Sequence, residues 1–348
     1  MKISHILFGS IAISFLAGCS DEKTNCLSDS ESIDSVTLVA SIGGNGDNGY
    51  NDLVLAGVIR FYNRHDNLKM SLLHPKSIEE AKVIYRDWDN ATSGKSGKSI
   101  IIFSSDDYED LTLDKSIQLD SNQRALFFES EETDLPKNIT TFTIRRYGIS
   151  YLAGAMASKS KEAHVVAAYE KEGVTKDAIK GFCDGYLDAG GNNVVVDYLA
   201  LDETGYSMPN EAYTLAGTHD EAFIYPLAGG SNNGIYKYSR DMLFSLQLVA
   251  GMDVDCSEYS TRVPFSVVIH IDNVIYNLLE QWETAESLAA HIEFGFPDND
   301  AVKIVTNKRF LERVILFEDY YGKEDYWDLM LEKYRDIALQ KEIQYYEK

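Results

Sequence analysis

Two successive βαβαβ blocks predict an α/β protein built of two doubly wound, largely parallel sheets. Three observations carry this expectation. Short, almost uninterrupted apolar runs alternate with helical patterns, the mark of parallel strands covered on both faces. The alternation starts again near Ser150. The roughly 310 residues that follow the N-terminal segment suffice for two domains of ordinary size.

Each element follows in order. Val36–Ile42 is a continuous apolar strand, then come a Gly/Asn loop and a helix over about Tyr50–Tyr62. Lys69–Leu73 reads as the second strand and Ile78–Trp88 as the second helix. Ser99–Phe103 and Ala125–Phe128 complete the first block. The second block opens with a helix over Ser150–Ser158, a strand over Ala163–Tyr169, a helix over Lys176–Asp188 and a strand over Val194–Leu199. Glu221–Tyr225 and Leu246–Gly251 are further strands, with a helix from about Asn233 to Phe244 between them. Arg309–Lys348 reads as one or two charged amphipathic helices that pack onto a lobe. Ligands of such sheets bind beyond the carboxyl ends of the strands, so the informative residues should directly follow strands.

The N-terminus carries an address. Lys2 is followed by the apolar stretch Ile6–Phe15, which is far short of the roughly 20 residues a bilayer span needs and suits a signal peptide. Leu16-Ala17-Gly18-Cys19 resembles a bacterial lipobox, which implies a diacylglyceryl thioether on Cys19 and cleavage before it. Residues 20–35 are rich in Ser, Asp and Glu and read as an acidic tether. An acidic patch at that place also resembles the export signal of some surface lipoproteins. The expected location is the cell envelope, anchored to a bacterial membrane on its periplasmic or surface face.

The formal charge of -23 disfavours nucleic acid and anionic lipid as partners and suits neutral or cationic small ligands. Of four cysteines, Cys19 is assigned to lipid and Cys26 lies in the tether. An oxidising compartment permits a disulfide between Cys183 and Cys256. No metal-ligand spacing and no H-E-x-x-H occur, and no nucleophile stands near an obvious base, so neither catalysis, a metal nor a cofactor is expected. Gly44-Asn45-Gly46-Asp47-Asn48-Gly49 spells G-x-G-x-x-G, but Asp47 sits where a pyrophosphate needs N–H donors. The second strand ends at His74-Pro75, with no acid to hold a ribose. Gly94-Lys95-Ser96 and Gly97-Lys98-Ser99 lack the upstream glycine of a phosphate loop.

At that first loop a family resemblance becomes visible. Asp47-Asn48-Gly49-Tyr50-Asn51 followed by Gly57 is similar to the D-x-[SG]-[FY]-N-x5-G signature of the basic membrane protein family, the substrate-binding lipoproteins of ABC transporters that include the purine nucleoside receptor. Tyr151-Leu152-Ala153-Gly154 resembles that family's Y-L-A-G helix start. Phe223–Gly230 with Gly234 resembles its strand–A-G-G–helix turn, and Gly251-Met252-Asp253-Val254-Asp255 its G-V-D-x-D strand end. Phe294-Gly295 resembles its closing strand segment.

The resemblance implies a type I periplasmic-binding fold with a ligand held between two hinged lobes. It places residues 36–145 with 266–290 in the first lobe, 146–258 with 291–307 in the second, and 308–348 in a helical extension. Hinge crossings are expected near Thr143–Tyr147, Cys256–Phe265 and Ala289–Glu293. Tyr50 would stack on a base, or is simply an apolar helix-start residue. Asn51 and Asp47 would read the edge of a purine, or Asp47 caps the helix. Gly229 and Gly230 would present backbone N–H groups, or form a plain tight turn. Asp253 would accept hydrogen bonds from ribose hydroxyls, with Asp255, Ser105 and Asp106 as further candidates. One departure stands out. Ile269 in Phe265–Ile269 occupies the place of the family's lysine, and Tyr147-Gly148 replaces polar residues before the Y-L-A-G helix. The implied function is capture of a nucleoside or similar small polar ligand for an ABC permease, with the bilayer engaged through Cys19. The alternative is a sensor or adhesion lipoprotein of the same fold with an altered cleft.

Overall fold

The computed structural model describes residues 32–242, 245–284, 288–298, 301–310 and 325–347. Cys19, Cys26, the signal stretch and most of the first C-terminal helical segment lie outside them.

The first lobe is a six-stranded parallel sheet in the order β12-β5-β4-β3-β1-β2. Its strands are β1 (Ile33–Val39), β2 (Lys69–Leu73), β3 (Lys98–Phe103), β4 (Gln123–Phe128), β5 (Ile139–Ile144) and β12 (His291–Phe294). The apolar run of β3 explains why the sheet is covered twice. Ile100 and Ile102 enter the core with Val54, Val58 and Phe61 of α1 (Tyr50–Tyr62). Ile101 and Phe103 point the other way, to Tyr85 and Trp88 of α2 (Ile78–Thr92). Each such fully buried side chain contributes roughly 1.5–3 kcal/mol.

The second lobe contains β6 (Ala163–Ala167), β7 (Val194–Tyr198), β8 (Phe223–Leu227) and β9 (Leu248–Val249) in the order β7-β6-β8-β9. Beyond Ala250, whose N–H still donates to the Ile224 carbonyl at 2.9 Å, the chain continues as β10 (Gly251–Asp253). There β10 pairs with β11 (Phe265–Ile269), which pairs in turn with β13 (Val302–Thr306). One face carries α3 (Tyr147–Ala157) and α4 (Val174–Asp188), and the other α5 (Pro209–Ala216) and α6 (Asn232–Asp241). Glycines bring α3 and α4 together backbone to backbone. A Cβ on Gly185 would collide with the Tyr151 carbonyl oxygen, and one on Gly154 with that of Phe182.

Strand pairing corrects three expected boundaries. The tether ends earlier than residue 35, because Ile33 is buried and already pairs in β1. The second crossing lies after β11, not at Cys256–Phe265, because β11 is hydrogen-bonded to β10 and β13. α7 (Ile271–Thr284) then packs on α1, with Gly57 lying against the Asp272 carbonyl. The third crossing follows β12, not Ala289–Glu293, because β12 extends the first sheet beside β5. Cys183 and Cys256 are free thiols in cores on opposite faces of the second sheet, so no disulfide joins them.

α8 (Tyr326–Tyr346) lies along α3. Trp327 packs against Phe223, Phe265 and Phe310, and Tyr345 stacks on Tyr147 at 4.0 Å. Glu342 is buried, and its carboxylate accepts from the Gly148 N–H and the Phe296 N–H at 2.8 Å each. Those two amides follow the first crossing and the last strand of the first lobe. One side chain of α8 therefore straps two of the three hinge strands. Among the described residues no helix is long and apolar enough to cross a membrane.

Candidate functional site

Between the lobes lies a cavity of about 510 Å³. That is within the size range of small-molecule sites. The strand-end rule explains its composition. Loops after β1, β3 and β4 supply one wall, and residues after β8 and at the end of β10 supply the opposite one.

The loop after β1 is organised by Asp47. Its carboxylate accepts from the backbone N–H groups of Gly49 and Asn51 at 3.0 Å each and of Asp52 at 3.3 Å, and from the Asn51 side-chain amide at 3.0 Å. Asp47 is thus a helix cap whose remaining surface faces the cavity. Asn51 also accepts from the Ser41 hydroxyl, so its amide is held in place on both sides. Tyr50 lines the cavity and donates its hydroxyl to Glu129 Oε1 at 3.0 Å. Burial, then the Glu129 charge, raises the Tyr50 pKa well above its ordinary value and keeps the phenol protonated.

Glu129 and Arg146, which the sequence reading missed, form the floor. The Arg146 guanidinium donates to Glu129 Oε1 at 2.7 Å, and the Ile144 N–H donates to Oε2 at 2.9 Å. Burial raises the Glu129 pKa against the pull of Arg146. Glu129 follows β4 at φ 51°, a left-handed conformation that a non-glycine residue adopts at a cost of about 1–3 kcal/mol. Asp253, at φ 66°, ends β10 in the same way. Strained residues cluster where geometry matters more than local energy.

Asp253 meets the first lobe at the N-terminus of α1, beside Gly49 and Tyr50. Its Oδ2 would lie 3.0 Å from a Cβ on Gly49, so only glycine leaves the carboxylate its full room there. Burial first, and the Asp47 charge second, push its pKa up to about 7, while Arg146 pulls it down. Gly229 and Gly230 line the cavity beside Tyr206, which a Cβ on Gly229 would approach to 3.0 Å. Ser105 lines it too, but its hydroxyl accepts from the Asp107 N–H as a cap. Asp106 and Asp107 both accept from Lys171 of the second lobe, at 2.8 and 2.6 Å. Asp255 is a correction. It lies outside the cavity, exposed, and accepts from the Ser257 N–H at 3.0 Å to close a turn.

Tyr206, Tyr225 and Glu203 also line the cavity. Ile269 forms an apolar wall with Val267 and Met252. The lining therefore holds six carboxylates (Asp47, Asp106, Asp107, Glu129, Glu203 and Asp253) and one cation, Arg146, which is paired with Glu129. Such a cavity attracts hydrogen-bond donors and positive charge and repels anions.

Comparison with known proteins places this geometry. The family model described as ABC transporter substrate-binding protein PnrA-like matches residues 35–320. No curated protein sequence matches the chain significantly. Among solved structures, an ABC transporter solute-binding protein from Aeropyrum pernix K1 superposes with a TM-score of 0.70 at 15% identity, covering 88% of this chain and 92% of that one. A transcriptional activator of the comK gene from Bacillus halodurans gives 0.59 at 16% identity, covering 83% and 98%. GanP, a glucose-galactose binding protein from Geobacillus stearothermophilus, gives 0.54 at 14%, covering 79% and 97%. At such identities the likeness establishes a shared fold, the two-lobed type I architecture.

Proposed function

This chain belongs to the Bmp family of ABC transporter substrate-binding proteins, and from that premise we propose that it captures a nucleoside, or a similar small uncharged polar ligand, for an ABC permease. The carrying observation is the interlobe cavity in which Tyr50 of one lobe and Asp253 of the other line the same space. An aromatic face suits a planar base, and a carboxylate with two acceptor oxygens suits a vicinal diol. The excess of carboxylates over cations favours nucleosides over nucleotides, whose phosphates would meet Asp106, Asp107 and Glu203. Asp47 and Asn51 support the reading indirectly, by fixing the loop that carries Tyr50.

Anchoring through Cys19 completes the proposal. The lipid would hold the protein at the envelope, with the acidic segment as a tether. Cys19→Ser should move the protein from the detergent phase to the aqueous phase on Triton X-114 partition, and retention in detergent would refute lipidation.

The apolar wall at Ile269 favours a second reading, a sensor or adhesion lipoprotein whose cleft takes another ligand. Thermal-shift titration with a nucleoside panel separates the two. At least one nucleoside should raise the melting temperature through linkage, and Asp253→Ala should remove the shift. Silence across the panel favours the second reading, and a shift that survives Asp253→Ala sinks the assigned diol contact.

A further inference from the structure

A second group of polar side chains lies in the second lobe and shares no residue with the cleft lining. It consists of His164 on β6, Asp197 on β7 and His219 in the turn between α5 and β8. His164 Nδ1 is 2.6 Å from Asp197 Oδ2, and His219 Nε2 is 3.7 Å from the same oxygen. One ligand atom from each residue lies within 4.8 Å of the other two. The imidazoles stack with centroids 3.5 Å apart.

The fold explains how residues so far apart in sequence converge. The register sets Val166 opposite Asp197, so His164, two residues earlier on the same face, is its diagonal neighbour. His219 is fixed through its backbone, its N–H donating to the Ala216 carbonyl and its own carbonyl accepting from Gln247. One hydrogen bond to Asp197 would satisfy the buried His164. It gives no reason for a second imidazole beside the same carboxylate oxygen.

We infer that His164, Asp197 and His219 form a site for a transition-metal dication of the Zn²⁺ class, with a coordination position left for water. Two imidazoles and one carboxylate are borderline ligands, which select zinc, copper or nickel over magnesium and calcium. Bonds of about 2.0–2.2 Å set tetrahedral ligand atoms roughly 3.3 Å apart. The His219–Asp197 separation is close to that. The His164–Asp197 contact, now 2.6 Å, opens by about 0.7 Å once the metal replaces the proton they share. His219 must turn out of the stack for its lone pair to converge on the ion, and its place in a turn, with 15% of the side chain exposed, allows this. Glu162 Oε1 stands 3.9 Å from His164 Nε2, on the far side of the ring, where an outer carboxylate orients a ligating histidine. The ion would tie strand β7, at the edge of its four-stranded sheet, to the turn that precedes β8.

The test uses the untagged protein, stripped with EDTA and titrated with Zn²⁺ by equilibrium dialysis. The expected result is saturable binding at one site that raises the melting temperature, weakened at least tenfold in His219→Gln and in Asp197→Asn. His219 is on a turn, so its variant should keep the wild-type circular dichroism. Co²⁺ offers a readout independent of stability, an intense visible absorption in the wild type that His219→Gln loses. Absence of saturable Zn²⁺ binding, or binding and Co²⁺ absorption unchanged in His219→Gln, would overturn the site.

Discussion

Asp253 combines a left-handed backbone, a buried carboxyl and a position facing Asp47 across the lobes. Its titration is therefore a probe of lobe contact. The folded carboxyl holds its proton to about pH 7, whereas an unfolded one releases it near the ordinary 3.8. Between these values the folded state binds more protons, so stability is greatest below the lower value and falls as pH rises through the upper one. Asp253→Asn should abolish that fall and melt higher than wild type at pH 8, with little difference at pH 4. Melting curves at the two pH values check this, and a wild-type fall of equal size in the variant would refute it. The site was partly legible at this scale. Asp47, Tyr50, Ser105, Asp106, Gly229 and Asp253 all follow or end strands, where the fold class says to look. Glu129 also follows a strand and could have been found by the same rule. Arg146 could not, because it depends on β5, and Tyr206 sits in a short 3-10 turn with no periodic signal.

Elements with continuous apolar runs were the readable ones, and β1, β3, β4, β6 and β8 follow them to within a few residues. β5 escaped notice because Ile139–Ile144 carries three threonines, which read as polar but are buried. Their hydroxyls donate to the carbonyls of Ala289, Glu132 and Ser130 and so satisfy themselves locally. α5 is only eight residues and opens on Pro209, too short for periodicity to show. An apolar strand announces burial but not the sheet it joins, which is why β11 was assigned to the wrong lobe. Nothing periodic marks Glu342 either, since a lone acid in a charged helix looks like a solvated one. Glu342→Ala leaves the Gly148 and Phe296 amides without their acceptor and should lower unfolding free energy by about 2–4 kcal/mol. Glu342→Gln, which keeps one acceptor, should fall between. Urea unfolding measures both, and an alanine variant as stable as wild type would deny the strap its role.

At the scale of the whole molecule the lobes are joined in two ways, by the hinge strands and by contacts across the cleft. Lys171 reaches from the second lobe to Asp106 and Asp107 of the first. Burial opposes its charge, but the two carboxylates outweigh burial and raise its pKa. Partly solvated pairs of this kind contribute on the order of 1 kcal/mol, enough to shift an equilibrium between open and closed forms several-fold. Lys171→Ala should increase the radius of gyration of the ligand-free protein in small-angle scattering, and an unchanged radius would remove the latch from the account. The strap on the opposite side has a different consequence. α8 is synthesised after every residue of the cleft, yet it supplies the acceptor for two hinge amides and the Trp327 ring that covers Phe223 and Phe265. A product cut short before Tyr326 would contain a complete set of cleft-lining residues and still bare an aromatic surface and two orphan donors. Proteases that cut loosened chain can thus discard an incomplete copy before it competes for ligand.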